Sequence, residues 1–281
     1  MKKNSLLLLF LMAMLSINTF AQEAAPTSIK YTAHNKGKFY IYWGGNRDSF
    51  SHSDIHFKGN DYDFTLYDVN AHDKPKGWHV DYVNPSRMTI PQTNVRIGYF
   101  INDHYNISIG LDHMKYVMTQ EQNARITGTY PAKFDGPVVN NGMVDLTDTT
   151  FLTFEHTDGL NYINTEFSRV DDVSKFLTLP NTDKFQVSLT EGVGAGFLYP
   201  KTNVMLMGKE RHDDFNVAGY GVSAKAGINF TFYKYFFIQG EIKAGYINMP
   251  NIRTSYDTSD SASQHFNFLE RVVAFGGIFR I

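Results

Sequence analysis

The chain contains no cysteine. Disulfides are therefore excluded, and so is a lipid anchor on an N-terminal cysteine. No run of about 20 apolar residues follows the first 21, so no helix is expected to cross a membrane. A basic excess is missing as well: 26 Lys and Arg stand against 28 Asp and Glu among 281 residues. Nothing in that balance supports nucleic-acid binding. The glycine run Gly192-Val193-Gly194-Ala195-Gly196 has no helical pattern after it, so no helix N-terminus is there to cradle a phosphate. Short of these things, the sequence is rich in rings. Aromatic residues make up 15%, with 17 Tyr and 23 Phe.

The one apolar run, Leu6 to Leu15, follows Lys2 and Lys3 and precedes Thr19-Phe20-Ala21. That order reads as a signal peptide over residues 1–21, cut before Gln22. Without Lys2 and Lys3, 24 basic residues face 28 acidic ones. Residues 22–37 carry Ala, Pro, Thr, Ser, Asn and Gly without alternation and read as a flexible periplasmic tail.

From Gly219 to Met249 the pattern has period two. Val222, Ala224, Ala226, Ile228, Phe230 and Phe232 share one side; Ser223, Lys225, Gly227, Asn229 and Thr231 share the other. After Tyr233-Lys234-Tyr235 the alternation resumes, with Ile238, Ile242, Ala244 and Tyr246 opposed to Gln239, Glu241 and Lys243. Side chains on a strand alternate faces, so each arm has an apolar and a polar side. Long arms, a polar face rich in glycine and charge, and rings crowding the turn predict a transmembrane hairpin. Mean hydropathy of −0.31 is compatible with this, since only every second strand residue meets lipid.

Six further strands follow the same rule: Lys38–Asp48, Gln92–Ile101, Tyr105–Met118, Phe151–Val170, Phe185–Leu198 and Gln264–Ile281. Ser51–Pro91 reads as a polar hairpin outside the membrane that continues the wall. Thr119–Thr150, Tyr199–Asp214 and Pro250–Ser263 read as loops, each rich in polar residues or turn formers. Glu191 falls on the outward parity of its strand. That requires either a bulge at Gly192 or a place at the membrane edge. The expectation is an all-β, antiparallel up-and-down transmembrane barrel over 38–281, with eight strands and long extracellular loops. A ten-stranded barrel, with Tyr62–Asn70 and a partner as true spans, is the alternative. An even count puts both termini on the periplasmic side.

The last strand places Val273, Phe275, Phe279 and Ile281 on one face and ends at the terminus. This resembles the C-terminal signature of outer-membrane barrels. The resemblance implies insertion by the barrel-assembly machinery, contact with outer-membrane lipids and a place in the outer membrane of a Gram-negative bacterium. In architecture the chain resembles the small monomeric outer-membrane proteins.

An eight-stranded interior is just wide enough to be filled by side chains. The inward charges expected are Arg96, Asp112, Glu166, Lys225, Glu241, Lys243 and Glu270. Three cations against four anions suit a plug of ion pairs better than a path for a solute. His156 and Asp158 share a parity with Glu166, and a histidine held by a carboxylate is half of a hydrolytic constellation. The stretch Glu155-His156-Thr157-Asp158-Gly159-Leu160-Asn161 is loosely similar to the motif of outer-membrane phospholipases and lipid A deacylases. Those carry a serine nucleophile two residues after the histidine, where this chain has Asp158. Ser263, His265 and Glu270 form a second Ser/His/Glu set, with Glu270 on the opposite parity. His52, Asp54 and His56 could offer metal ligands, with His72 or His79 as a third imidazole. The spacing matches no closed motif, and no cofactor is expected. The leading reading is a non-enzymatic envelope or surface protein: a scaffold, a loop-mediated binder with an unidentified extracellular partner, or a narrow passage. A lipid A or phospholipid hydrolase and a secreted soluble ligand-binding barrel are the contrasting readings.

Overall fold

The computed structural model describes residues 34–77, 79–83, 91–130, 142–212 and 214–280. The expected signal peptide, the tail up to residue 33 and Ile281 lie outside them. Residues 34–37 are tied to the first short turn, where Asp103 Oδ1 accepts from the backbone N–H of Asn35 and of Lys36, each at 2.9 Å.

Fourteen strands form in chain order: β1 (Phe39–Phe50), β2 (Ser53–Lys58), β3 (Asp63–Val69), β4 (Ala71–Asp73), β5 (Thr93–Phe100), β6 (Tyr105–Met118), β7 (Asn123–Thr129), β8 (Met143–Asp145), β9 (Leu152–Asp172), β10 (Phe185–Leu198), β11 (Asn203–Leu206), β12 (Gly219–Phe232), β13 (Phe236–Arg253) and β14 (Ser261–Phe279). Among the described residues there is no α-helix, only a 3-10 turn at Val80–Val83.

Eight of the strands close a ring in the order β1-β5-β6-β9-β10-β12-β13-β14. β1 returns to β14, from Phe39 opposite Phe279 to Phe50 opposite Phe268. Every neighbouring pair is antiparallel, which makes an up-and-down barrel with no free edge in its wall. The ten-strand alternative does not hold. β3, which contains most of Tyr62–Asn70, pairs with β2 and β7 and lies outside the ring.

Short connections gather at one end. Asn102 Oδ1 accepts from the backbone N–H of His104 and of Tyr105, which closes the β5–β6 turn without glycine. In the three-residue β12–β13 connection Tyr233 and Lys234 both take positive φ, 50° and 69°, as the central residues of a type I′ turn do, and the Tyr235 N–H donates to the Phe232 carbonyl oxygen at 3.1 Å.

At the other end the described residues between the ring strands include further strands. β14 carries on past the ring into β2, and the sheet extends through β3 and β7 to β8. β4 adds to β6, and β11 adds to β9. The expected loops Thr119–Thr150 and Tyr199–Asp214 thus contain strands. The reason is apolar burial. Phe57, Phe64, Leu66, Ile126 and Val144 of these added strands pack with Tyr116, Phe154, Ile247, Met249 and Phe266 of the ring in one core. Ring contacts link the two parts: Phe57 meets Phe154 at 5.7 Å and Phe64 meets Phe151 at 5.9 Å.

The outside of the wall is apolar. Ile41, Ile97, Ile109, Phe167, Val193, Val222, Ile242, Val273 and Phe275 are all exposed. Glu191 breaks the pattern. The β9–β10–β12 register runs through Gly192 without a shift, so the expected bulge is absent and Glu191 points outward, opposite Arg169. Inside, glycines admit neighbours. A Cβ at Gly194 would sit 2.9 Å from Glu166 Cγ, and one at Gly196 would sit 2.0 Å from the Ile163 carbonyl oxygen.

Candidate functional site: the charged lumen and its two ends

The alternation of β5, β6, β9, β12, β13 and β14 puts Arg96, Asp112, Glu166, Lys225, Glu241, Lys243 and Glu270 on the inner face, nearly or fully buried. They converge on one another. Glu166 sits at the centre: its Oε1 meets Arg96 Nη2 and Lys243 Nζ, each at 3.0 Å, and its Oε2 meets Lys225 Nζ at 2.6 Å. Lys243 also reaches Asp112 Oδ2 at 2.6 Å and Glu270 Oε2 at 3.6 Å. Lys225 reaches Glu241 Oε2 at 2.9 Å.

Neutral groups complete the knot. Asn94 Nδ2 donates to Asp112 Oδ1 at 2.9 Å and to Glu270 Oε1 at 2.7 Å. Arg96 donates to Asn164 Oδ1 at 2.7 Å and to the Tyr42 hydroxyl at 3.1 Å. A buried charge is tolerable only with its partners in place. Here each of the seven touches at least one group of opposite sign.

Sequence reasoning missed two members of this interior. Asn164 lies on the parity of Glu166 but carries no charge to draw notice. Asp48 lies on the inward parity of β1, is buried, and accepts from Gln92 Nε2 at 2.9 Å. Counting parity to the end of that strand would have found it.

Towards the short turns lies a water-accessible cavity of about 40 Å³, lined by Tyr40, Tyr42 and Phe237 on one side and by Gln186, Asn229 and Lys225 on the other. That is room for a few waters and nothing larger. Towards the long connections the inner face turns apolar and the shared core fills the bore. Among the described residues, ion pairs fill the middle of the bore and rings fill it above them.

The hydrolytic set is not assembled. His156 is fully buried against Tyr116 and Phe154, and its Nδ1 lies 2.9 Å from Thr202 Oγ1. Asp158 leaves the parity of His156 in a bulge of β9, where the register with β6 shifts between Tyr116 opposite His156 and Met114 opposite Leu160. The Asp158 side chain is 56% exposed and faces Lys201. Glu166 belongs to the lumen network. Thr157 Oγ1 donates to Glu155. In the second set His265 is exposed beside Tyr246, and Glu270 lies inside the barrel.

The histidines near β2 are dispersed in the same way. His52 pairs with Asp68 at 2.9 Å and His56 with Asp63 at 2.8 Å, while Asp54 Oδ1 accepts the Asp68 backbone N–H. His72 bonds Thr119, and His79 pairs with Asp81. Among the described residues no three metal-ligating side chains stand together.

No protein-family model matches the chain, and no curated protein matches it by sequence. Among solved structures the chain is similar to Ail, the attachment invasion locus protein of Yersinia pestis, at 9% identity and a TM-score of 0.32 over 87% of this chain and 99% of that one. It is similar to OprG from Pseudomonas aeruginosa at 10% identity and a TM-score of 0.37, over 89% and 99%. Neisserial surface protein A gives 9% identity and a TM-score of 0.33, over 86% and 99%. Identities this low carry no function from one chain to another.

Proposed function

We propose that this chain is an outer-membrane barrel with a sealed lumen that acts through the folded sheet at its outer end, as a surface scaffold or binder. The single observation behind this reading is the double closure of the bore, by the seven-charge network and by the apolar core above it. Every charge of the network has an opposite charge within 4 Å and the core above it is buried, which favours a fixed plug over a gate.

Three features support the membrane reading. The exposed aliphatic wall is wrong for water and right for lipid. Rings border it at both ends: Tyr99, Tyr105, Phe236 and Phe279 near the short turns, and Tyr199, Tyr220 and Tyr246 near the long connections. Short turns mark the periplasmic side and the added sheet the outside, as in barrels of this class.

Three measurements test the proposal. The protein should sediment with the outer membrane and run compact on a gel until boiled. In a planar bilayer it should show no conductance steps above the baseline. His156→Ala should leave lipid A acylation, followed by mass spectrometry, unchanged. Steady single-channel steps from the wild type would sink the sealed-lumen reading. A change in acylation would bring back the hydrolase. Solubility without detergent would replace the membrane reading with a secreted ligand-binding barrel.

A further inference from the structure

The alternation that turns apolar residues outward on β10 turns Glu191 outward with them. Leu189 and Val193, its neighbours on the same parity, are 52% and 60% exposed, and Glu191 is exposed between them. The register on both sides of β10 runs through without a shift, so the carboxylate stays on the outside of the wall. An ionised side chain facing lipid is costly unless a cation meets it.

The chain supplies only a share of one. Arg169, directly opposite on β9, is engaged by Asp171: Nε lies 2.7 Å from Oδ2, and Nη2 donates to Oδ1 at 3.2 Å. Arg169 acts on Glu191 too, but from beyond 4 Å. One guanidinium thus serves two outward carboxylates. His104 Nδ1, 3.0 Å from Asp171 Oδ1, adds to the Asp171 side. Among the described residues no cation lies within 4 Å of Glu191.

The place suits a lipid headgroup. Tyr105, opposite Arg169 on β6, stacks on Phe167 at 5.4 Å and belongs to the rings near the short turns. β9 ends at Asp172, so the row of Tyr105, Arg169 and Glu191 lies near the lower rim of the apolar wall. Two surface grooves flank the carboxylate. The one above it, of about 400 Å³, is lined by Phe167 and Val193; the one below, of about 370 Å³, by Asp171 and Leu189. The upper groove has apolar sides and Glu191 at its foot.

We infer that Glu191 is a docking site for the primary ammonium of a phospholipid of the periplasmic leaflet, with an acyl chain lying in the groove between Phe167 and Val193. This rests on the membrane orientation proposed above. In that orientation such a lipid has its headgroup low and its chains above, the order in which carboxylate and apolar groove stand. The ammonium supplies the charge that Arg169 divides between two partners, and its N–H donors make charge-assisted hydrogen bonds to the carboxylate. A choline headgroup has a cation without N–H donors, and a glycerol headgroup has no cation.

Lipid retention by the purified full-length protein in detergent, read by native mass spectrometry, tests the site. Phosphatidylethanolamine, phosphatidylcholine and phosphatidylglycerol with the same acyl chains are offered in turn. Wild type, E191Q and E121Q are compared; Glu121 is exposed in the connection between β6 and β7 and controls for loss of a charge away from the wall. Compact mobility before boiling verifies that each variant is folded. The wild type should retain phosphatidylethanolamine about tenfold better than the other two. That preference should vanish in E191Q and survive in E121Q. Equal retention of the three lipids, or a preference that E191Q leaves intact, overturns the site while the membrane reading stands. A dimer that E191Q dissociates would give Glu191 to a second copy of the chain and overturn the lipid as its partner. A protein that stays soluble without detergent overturns the membrane reading first, and the site with it.

Discussion

Replacing Lys243 with methionine should lower the unfolding free energy of the barrel by about 3–5 kcal/mol, the cost of leaving buried charges without their partner. Lys243 is fully buried and bridges four carboxylates: Asp112 at 2.6 Å, Glu166 at 3.0 Å, Glu270 at 3.6 Å and Glu241 at 3.9 Å. Methionine keeps much of its length and volume, so the loss reports charge more than a cavity. Without Lys243, Arg96 and Lys225 alone face Asp112, Glu166, Glu241 and Glu270. Among the described residues Glu270 then has no cation within 4 Å, and Asn94 donates to it at 2.7 Å. The remedy should be equally specific. In Lys243→Met with Glu270→Gln, the surviving cations face one carboxylate fewer and part of the loss should return, a coupling that neighbours in one network are expected to show. Lys234→Met provides the contrast. Its pair with Asp183, at 2.8 Å, sits half-exposed at the short β12–β13 turn and should cost less than about 1 kcal/mol. Urea unfolding in detergent, followed by loss of compact gel mobility, gives all three values. If Lys243→Met costs no more than Lys234→Met, the network does not hold the lumen.

That network was legible in the sequence because the physics behind it is simple. Side chains alternate, and once one parity is fixed as outward by Ile238 and Ile242, the other must receive Gln239, Glu241 and Lys243. Parity fails where the backbone departs from a flat strand. β9 does so in its bulge, where the register with β6 shifts between Tyr116 and Met114, and Asp158, counted with His156, turns out to water. The outer sheet was harder to read, since β4, β8 and β11 have only three or four residues each, too few for a period to show. Yet a signal was present on the long strands. On β6 the inward residues run Asn106, Ser108, Asp112 and then Met114, Tyr116, Met118. On β13 they run Gln239, Glu241, Lys243 and then Ile247, Met249. A barrel interior open to water has no use for that change. An inner face that turns from polar to apolar partway up predicts something apolar laid over it, and β2, β3, β7 and β8 supply it.

The outer sheet should accordingly come apart separately from the ring. Phe64 is 1% exposed, and its ring lies 5.2 Å from Phe57, 5.9 Å from Phe151 and 6.0 Å from Tyr62. Truncating such a side chain to alanine costs about 3–5 kcal/mol through lost burial and the cavity left behind. Its strand, β3, bonds only to β2 and β7, neither of them a ring member. The cost therefore falls on the cap, and a locally destabilised unit opens without the rest. Phe64→Ala should keep compact gel mobility and the wild-type urea midpoint of the barrel. Protease added to intact cells should now cut within β2 and β3, between Ser53 and Val69, where the wild type resists. Phe154→Ala removes a ring from the same core, meeting Phe57 at 5.7 Å, but from the ring strand β9. It should lower the urea midpoint as well as open the cap. If both variants shift the midpoint equally and neither is cut, cap and barrel unfold as one unit. The surface that this protein presents would then be as rigid as the wall that carries it.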